Sequence, residues 1–207
     1  MKKIFLFILF IGVIFTIFKL INRNNKINPS IVTKENYSTN EKLETEIIEV
    51  KKIINNNSKY NTEIGFFIDM KILSGKYRFF IFDFKNNKVI DKGLVAHGSG
   101  SETEIKGKLK FSNIVNSRST SLGKYAIGNS YNGRFGKAYK LFGLDKTNSN
   151  AYARNIILHK HKDVPYEEQV NYICKSDGCP MVNKKFYSRI EQIIDNSKKK
   201  IILNIYY

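Results

Sequence analysis

Tyr77-Arg78-Phe79-Phe80-Ile81-Phe82-Asp83 is followed by Asp83-Phe84-Lys85-Asn86-Asn87-Lys88 and then by Val89 to Val95. The first run is aromatic and β-branched, a composition that suits a half-buried pleated surface. The Asn-rich middle is turn chemistry. The third run returns as a second strand, so the stretch predicts a β-hairpin. Upstream, Ile64-Gly65-Phe66-Phe67-Ile68-Asp69 predicts another strand. Downstream, glycines at 93, 98, 100, 107, 123, 128, 133, 136 and 143 punctuate further short segments. Asn155 to His159 predicts a buried strand around Ile156-Ile157-Leu158. Phe186 to Ile194 predicts a helix with Phe186, Ile190 and Ile193-Ile194 on one face. Ile201 to Tyr207 closes the chain as a strand. The expectation is a mainly β domain over residues 63–207 with one or two small helices, about 145 residues and within the usual single-domain range.

The rest of the 207-residue chain predicts location. Met1-Lys2-Lys3 precedes an uncharged apolar run from Ile4 to Phe18, and Lys19-Leu20-Ile21 ends it. A charged start and an apolar run at the N-terminus predict a signal anchor over residues 1–21, with a cleaved signal peptide and a buried core helix as alternatives. The domain is then expected in the cell envelope, membrane-anchored or secreted to the extracytoplasmic side, periplasmic where one exists. Residues 22–62 read as a polar stalk. Within it Leu43, Ile47, Val50 and Ile54 follow helical spacing, which predicts an amphipathic helix either docked on the domain or solvated as a spacer.

Hydrophobic residues make up 42% of the chain and aromatics 13%, enough for a real core and against global disorder. The net charge of +17 fits nucleic acid, an anionic membrane or an acidic wall polymer. The lysines form no dense run, and no RNP segment or zinc-finger spacing accompanies them, which argues against nucleic acid.

Two cysteines and three histidines carry the chemistry. In Ser176-Asp177-Gly178-Cys179-Pro180 a thiol follows a glycine, and His159 lies twenty positions upstream. A thiol nucleophile, an imidazole to take its proton and Gly-Cys amides to meet an oxyanion suffice for acyl transfer. The same Cys179 also fits a buried core cysteine. His159 at the end of an apolar strand reaches Cys179 only if that strand end and the cysteine loop are adjacent. His159, His161, Cys174 and Cys179 alternatively offer a Cys2His2 zinc set at the edge of the usual spacing, and Cys174 and Cys179 alternatively form a disulfide. His97 in Val95-Ala96-His97-Gly98-Ser99-Gly100 reads either as a substrate-facing or supporting group, or as a structural histidine at a strand end. No Lys-Ser/Thr pair follows this glycine stretch, so it is not a phosphate loop.

With these segments in order, the chain resembles the L,D-transpeptidase (YkuD-type) catalytic domains over residues 63–207, in particular the murein L,D-transpeptidase branch. The segments that carry the resemblance include Tyr77 to Asp83, Val95 to Gly100, Phe111-Ser112-Asn113, Ser117 to Tyr125, Tyr131-Asn132-Gly133 with Gly136, and Leu141 to Leu144. Asn148 with Ala151 and Arg154, Ile156 to His159, and Ser176 to Pro180 complete the set. The resemblance implies a β-sandwich-like fold. It implies Cys179 as nucleophile, His159 as base with its second ring nitrogen held by a backbone carbonyl, Gly178 and Cys179 amides for the oxyanion, and Ser176 shaping the loop. It makes His97, Tyr125, Arg154 and Asp177 the substrate-binding candidates. It implies attack on peptidoglycan stem peptides through a thioester, giving cross-links with an amine acceptor or trimming with water, and no metal or organic cofactor. A non-enzymatic wall-binding module and the zinc module are the alternatives. The chain departs from the family at Lys160, Lys175 and Asp177. Asp177 raises the pKa of a neighbouring thiol unless Lys175 or Lys160 offsets it.

Overall fold

A computed structural model describes residues 29–207, with side chains from Glu41 onward. The expected anchor over 1–21 lies outside the described residues. Among the described residues no helix is long and apolar enough to cross a membrane.

Helix α1 runs Pro29–Asn55, opening on a proline at the position where its missing N–H costs nothing. Its Leu43, Ile47, Val50 and Ile54 are buried against Phe67, Phe82, Ala126, Ile202 and Tyr206. Asn204 Nδ2 donates to Glu46 at 2.7 Å and ties the helix to the sheet. The amphipathic helix is therefore docked, and the compact unit spans Leu43–Tyr207.

Nine strands follow: β1 Ile64–Asp69, β2 Phe79–Asp83, β3 Lys88–Gly93, β4 Val95–Ala96, β5 Gly123–Gly133, β6 Gly136–Gly143, β7 Ile157–Lys160, β8 Met181–Val182 and β9 Ile202–Tyr206. They form one sheet in the order β3-β2-β1-β9-β5-β6-β7-β8-β4. Its two edge strands, β3 and β4, are consecutive in the chain and separated only by Leu94, so the sheet is nearly closed. The expectation of a sandwich is corrected to this single sheet.

The alternation of strand side chains fills both faces. Phe66, Ile68, Leu203 and Ile205 join the inner core, while Phe67, Ile202 and Tyr206 meet α1. Helix α2, Lys184–Asn196, lays Phe186, Tyr187 and Ile190 on the inner core. Its N-cap is Asn183, whose side chain accepts from the Lys185 N–H at 2.8 Å. The fold thus brings two distant segments together: β7 and β8 pair in parallel, with His159 opposite Met181.

Candidate active site

The register of β7 on β8 joins the histidine strand to the exit of the cysteine loop. The His159 N–H donates to the Pro180 carbonyl at 3.4 Å, so the strand end and the loop are adjacent. The loop is pinned from the other side. The Ser176 N–H donates to the His97 carbonyl at 2.8 Å, and the Ser176 carbonyl accepts from the Ser99 N–H at 2.7 Å. Gly178 has φ +114°, and a β-carbon there would lie 2.9 Å from the Ser119 carbonyl oxygen. Only glycine fits that turn. Its N–H donates to the Ser176 hydroxyl at 3.1 Å in the resting site.

The Cys179 sulfur sits against the 155–157 segment. Its thiol donates to the Asn155 carbonyl at 3.7 Å, and the Ile157 N–H faces the sulfur and favours its anionic form. Burial is the larger effect and pushes the thiol pKa up. Asp177 adds to the rise, while Arg154 and Lys140 oppose it. The cations that offset Asp177 are thus Arg154 and Lys140. The Lys160 ammonium instead lies over the Tyr187 ring, 5.3 Å from its centroid.

His159 is buried, with Nδ1 at 3.1 Å from the Lys160 carbonyl. A carbonyl only accepts, so Nδ1 carries the proton and Nε2 keeps its lone pair. Burial lowers the His159 pKa, more than the Lys160 carbonyl raises it, and His161 lowers it further. Burial thus favours the neutral form of both the His159 imidazole and the Cys179 thiol. The Phe135 ring stacks on His159, centroids 4.5 Å apart and planes 22° apart. Phe135 lies in the two-residue turn between β5 and β6, closed by Gly136 at φ +79°. Phe135 carried no mark in the sequence beyond the Gly133-Arg134-Phe135-Gly136 turn signal.

Arg154 is a staple. Nη1 donates to the Ser112 carbonyl at 2.8 Å and to the Ser121 hydroxyl, and Nη2 to the Ser119 carbonyl at 2.6 Å and the Ser117 hydroxyl at 3.2 Å. It lines a cleft of about 380 Å³ with Asn116, Arg118, Asn155 and Asp177. Asp177 is exposed and paired with Arg118, Nε to Oδ1 at 2.7 Å. Asn116, Arg118 and Asn155 all have left-handed backbones, φ 62°, 54° and 53°. That conformation costs about 1–2 kcal/mol for a residue with a β-carbon, less for asparagine. Such strain gathers at functional sites.

Two substrate-binding expectations are corrected. Tyr125 has no exposed surface, and its hydroxyl donates to the Ser121 carbonyl at 2.8 Å, so it belongs to the core. His97 is also buried. Arg78 Nη2 donates to its Nδ1 at 2.9 Å, which leaves Nε2 to donate to Glu102 at 2.5 Å. Its side chain is structural, and its backbone carbonyl holds the cysteine loop.

Cys174 and Cys179 are both free thiols. Cys174 packs beside Leu94, Ala96, Val164, Ile173 and Met181. Among the described residues no three His, Cys, Asp or Glu side chains converge to hold a metal ion. His159, His161, Cys174 and Cys179 therefore do not form the alternative zinc set.

Among solved structures the fold is similar to the L,D-transpeptidase (residues 123–326) from Xylanimonas cellulosilytica, at 13% identity over 70% of this chain and 61% of that one, TM-score 0.38. It is also similar to the helical cell shape determining protein Pgp2 from Campylobacter jejuni, at 11% identity over 69% of this chain and 47% of that one, TM-score 0.45. The chain thus matches less than two thirds of either structure's length. No curated protein matches it. The L,D-transpeptidase catalytic domain family (YkuD_2) matches residues 34–206 and so takes in most of α1 as well as the sheet. On the strength of that match across nearly the whole described chain, this protein belongs to the L,D-transpeptidase catalytic domain family.

Proposed function

We propose that this protein is a cell-envelope cysteine acyltransferase that remodels peptidoglycan stem peptides through a Cys179 thioester. The observation that carries the reading is the parallel pairing of His159 with Met181, which sets the imidazole strand beside the chain leaving Cys179. The family membership supports the substrate class.

His159 Nε2 takes the Cys179 proton as the sulfur attacks the carbonyl before the terminal residue of the stem. The Cys179 N–H meets the oxyanion, and the Gly178 N–H exchanges the Ser176 hydroxyl for it. The imidazolium returns the proton to the leaving amine, which departs as the thioester forms. An amine from a second stem then attacks the thioester and loses its proton to His159; the C–S bond breaks, the Cys179 sulfur takes the proton back from the imidazolium, and a cross-link results. Water in its place gives trimming. The Lys160 carbonyl steadies the imidazolium through Nδ1 in each step. The N-terminal apolar run delivers the domain to the wall side of the membrane in this reading.

The test is incubation with tetrapeptide muropeptides, read by mass spectrometry beside Cys179→Ala. Loss of the terminal residue or formation of dimers, absent in the variant, supports the reading. No product under reducing conditions overturns it.

A further inference from the structure

We propose that the exposed aromatic face of the β5–β6 hairpin, built on Tyr131, Phe142 and Tyr152, is a platform for the sugar rings of the glycan strand whose stem peptide reaches Cys179, an inference that rests on the peptidoglycan reading of the Cys179 site.

On β6, Lys140 and Phe142 alternate with the buried Tyr139 and Leu141 and so share the outer face of the sheet. Tyr131 on β5 is opposite Ala138, on that same face. Ala126, opposite Phe142, lies in the cluster beneath α1. Beyond the helix the face is open, and Phe142 and Tyr131 are 37% and 36% exposed. Tyr152, from the segment before β7, stacks on Phe142 with centroids 5.2 Å and planes 14° apart, and is 59% exposed. Its ring is thus held flat on one side and open on the other. Gly128 leaves the space that the Phe142 ring fills, since a β-carbon there would clash with it. The Lys140 ammonium lies 5.0 Å from the Tyr131 centroid and 5.7 Å from that of Tyr152. The Lys200 ammonium lies 5.6 Å from the Phe142 centroid.

This interleaving of rings and ammonium groups selects a ligand chemistry. The C–H bonds on one face of a pyranose carry slight positive charge and meet the negative face of an aromatic ring. The hydroxyls and N-acetyl carbonyls at the pyranose edge accept from ammonium groups. Rings fixed before the ligand arrives therefore match an N-acetylated sugar polymer. A hydrophobic protein partner needs a contiguous apolar patch, and Lys140 and Lys200 interrupt this one. The net charge of +17 opposes a second copy of the chain. Single-stranded nucleic acid stacks on such rings but needs cations free to track its phosphates. The Lys140 ammonium already donates to Asn155 Oδ1 at 3.1 Å.

That bond joins the platform to the sulfur. The carbonyl of the same Asn155 accepts from the Cys179 thiol at 3.7 Å. Lys140 is thus a member of the platform and close enough to the sulfur to act on its charge. In peptidoglycan the stem hangs from a sugar, and the scissile carbonyl of a tetrapeptide lies three residues out, at most about 11 Å of extended chain. A substrate held by its sugar and by its carbonyl follows the short path from Tyr152 through Lys140 and Asn155 to Cys179.

The test is calorimetric titration of full-length Cys179→Ala protein with glycan strands stripped of their stem peptides. The strands are expected to bind, and to bind almost as well in about 0.5 M salt, because ring stacking is not screened as exposed charges are. Adding Tyr152→Ala should weaken binding at least ten-fold, and Tyr131→Ala several-fold. Tyr152→Phe keeps the ring and should stay within two-fold of the parent, which separates recognition from misfolding. No binding, binding that high salt abolishes, or binding that survives both alanine changes overturns the proposal; the salt-sensitive result would assign the face to a polyanion such as nucleic acid. Turnover by the Cys179 protein is read separately. Tyr152→Ala should raise KM several-fold for glycan-linked stems and leave free tetrapeptide within two-fold. Missing turnover of every stem with intact Tyr152-dependent glycan binding sinks the acyltransferase reading and leaves the platform standing. Turnover of free tetrapeptide without glycan binding sinks the platform alone.

Discussion

Phe135 covers one face of His159, its ring stacked 4.5 Å away in centroid distance. The hairpin of β5 and β6 thus shields the proposed base. Shielding keeps the imidazole neutral, because burial penalises its charged form. Phe135→Ala should admit water and raise the His159 pKa toward its ordinary value of about 6.5. The acid limb of kcat/KM, expected below that value in the parent protein, should move up with it, and the rate near pH 6 should fall several-fold. NMR titration of the His159 ring in both proteins checks this. An unchanged pKa would show that Phe135 is only a contact.

The same depression sets a stability window. His159 and His97 are both held below the ordinary histidine pKa, chiefly by burial. The unfolded chain therefore takes up these protons first as pH falls. The stability from keeping both rings neutral is complete above about pH 6.5 and is lost as pH drops through the folded values. The slope approaches about 1.4 kcal/mol per pH unit for each ring while the unfolded state alone is protonated. Thermal unfolding between pH 7.5 and 5 should show Tm falling with acid. A flat Tm would sink the prediction.

Cys179 rests as a thiol, not as a thiolate paired with imidazolium. Burial raises its pKa, and Arg154 and Lys140 only moderate the rise. Iodoacetamide labelling, located by mass spectrometry to distinguish Cys174, should climb with pH and show no plateau below about pH 8.5. Arg154→Met removes the larger of the two moderating charges and should slow labelling about ten-fold at pH 8. A plateau near neutrality would reverse the assignment of protonation states.

Local elements were legible where pattern and chemistry agree. The strand Ile64–Asp69, the β2–β3 hairpin, the helix on Phe186 and Ile190, and the C-terminal strand all follow from short-range periodicity. The long hairpin of β5 and β6 did not. Its glycines read as breakers, yet Gly128 makes room for Phe142, whose ring a β-carbon there would meet. Near-closure of the sheet was hidden because it depends on the parallel pairings of β1 with β9 and β7 with β8, which no local pattern encodes. Cys179 and His159 were visible as chemistry. Tyr125 and His97 were misplaced because a polar residue in a matching segment does not reveal which side of the sheet it faces. Arg118 and Phe135 went unseen because turn position, not composition, brings them to the site.

Asn155 offers a test of the left-handed backbone at the sulfur. Its φ of 53° turns its carbonyl toward the Cys179 thiol, and its Oδ1 accepts from Lys140 at 3.1 Å. Asn155→Gly keeps the conformation and loses only the surface contact. Asn155→Val should cost about 1–2 kcal/mol more than the glycine change and lower kcat by more than KM rises, because the sulfur loses its rest. Urea unfolding and steady-state kinetics of both variants check this. Equal stability for Gly and Val would remove the strain argument.

Arg78 closes the sheet. It has 1% exposure, and burial pushes its pKa down to about 9 while Asp69 and Glu102 oppose the fall. Its backbone N–H donates to Gly93 in β3, and its carbonyl accepts from the Asp69 N–H. Its guanidinium crosses to β4, with Nε and Nη2 on the Val95 carbonyl at 3.0 and 2.8 Å, Nη1 on the Ile72 carbonyl at 3.1 Å and Nη2 on His97. One residue thus bridges the two sheet edges, its backbone on β3 and its side chain on β4, and supports the residue whose carbonyl holds Ser176. Arg78→Leu leaves the Val95 carbonyl and His97 Nδ1 without this donor and leaves Glu102 without its charge. Loss of one member of a buried charge network costs about 3–5 kcal/mol. Arg78→Lys keeps a charge but cannot span the same acceptors with one ammonium, so it should recover only part of that loss. The His97 pKa should rise in Arg78→Leu, since Arg78 is one of the groups that depress it. Urea unfolding gives the first quantity and NMR titration of His97 the second. A leucine variant within 1 kcal/mol of the parent would mean that the sheet closes without the bridge.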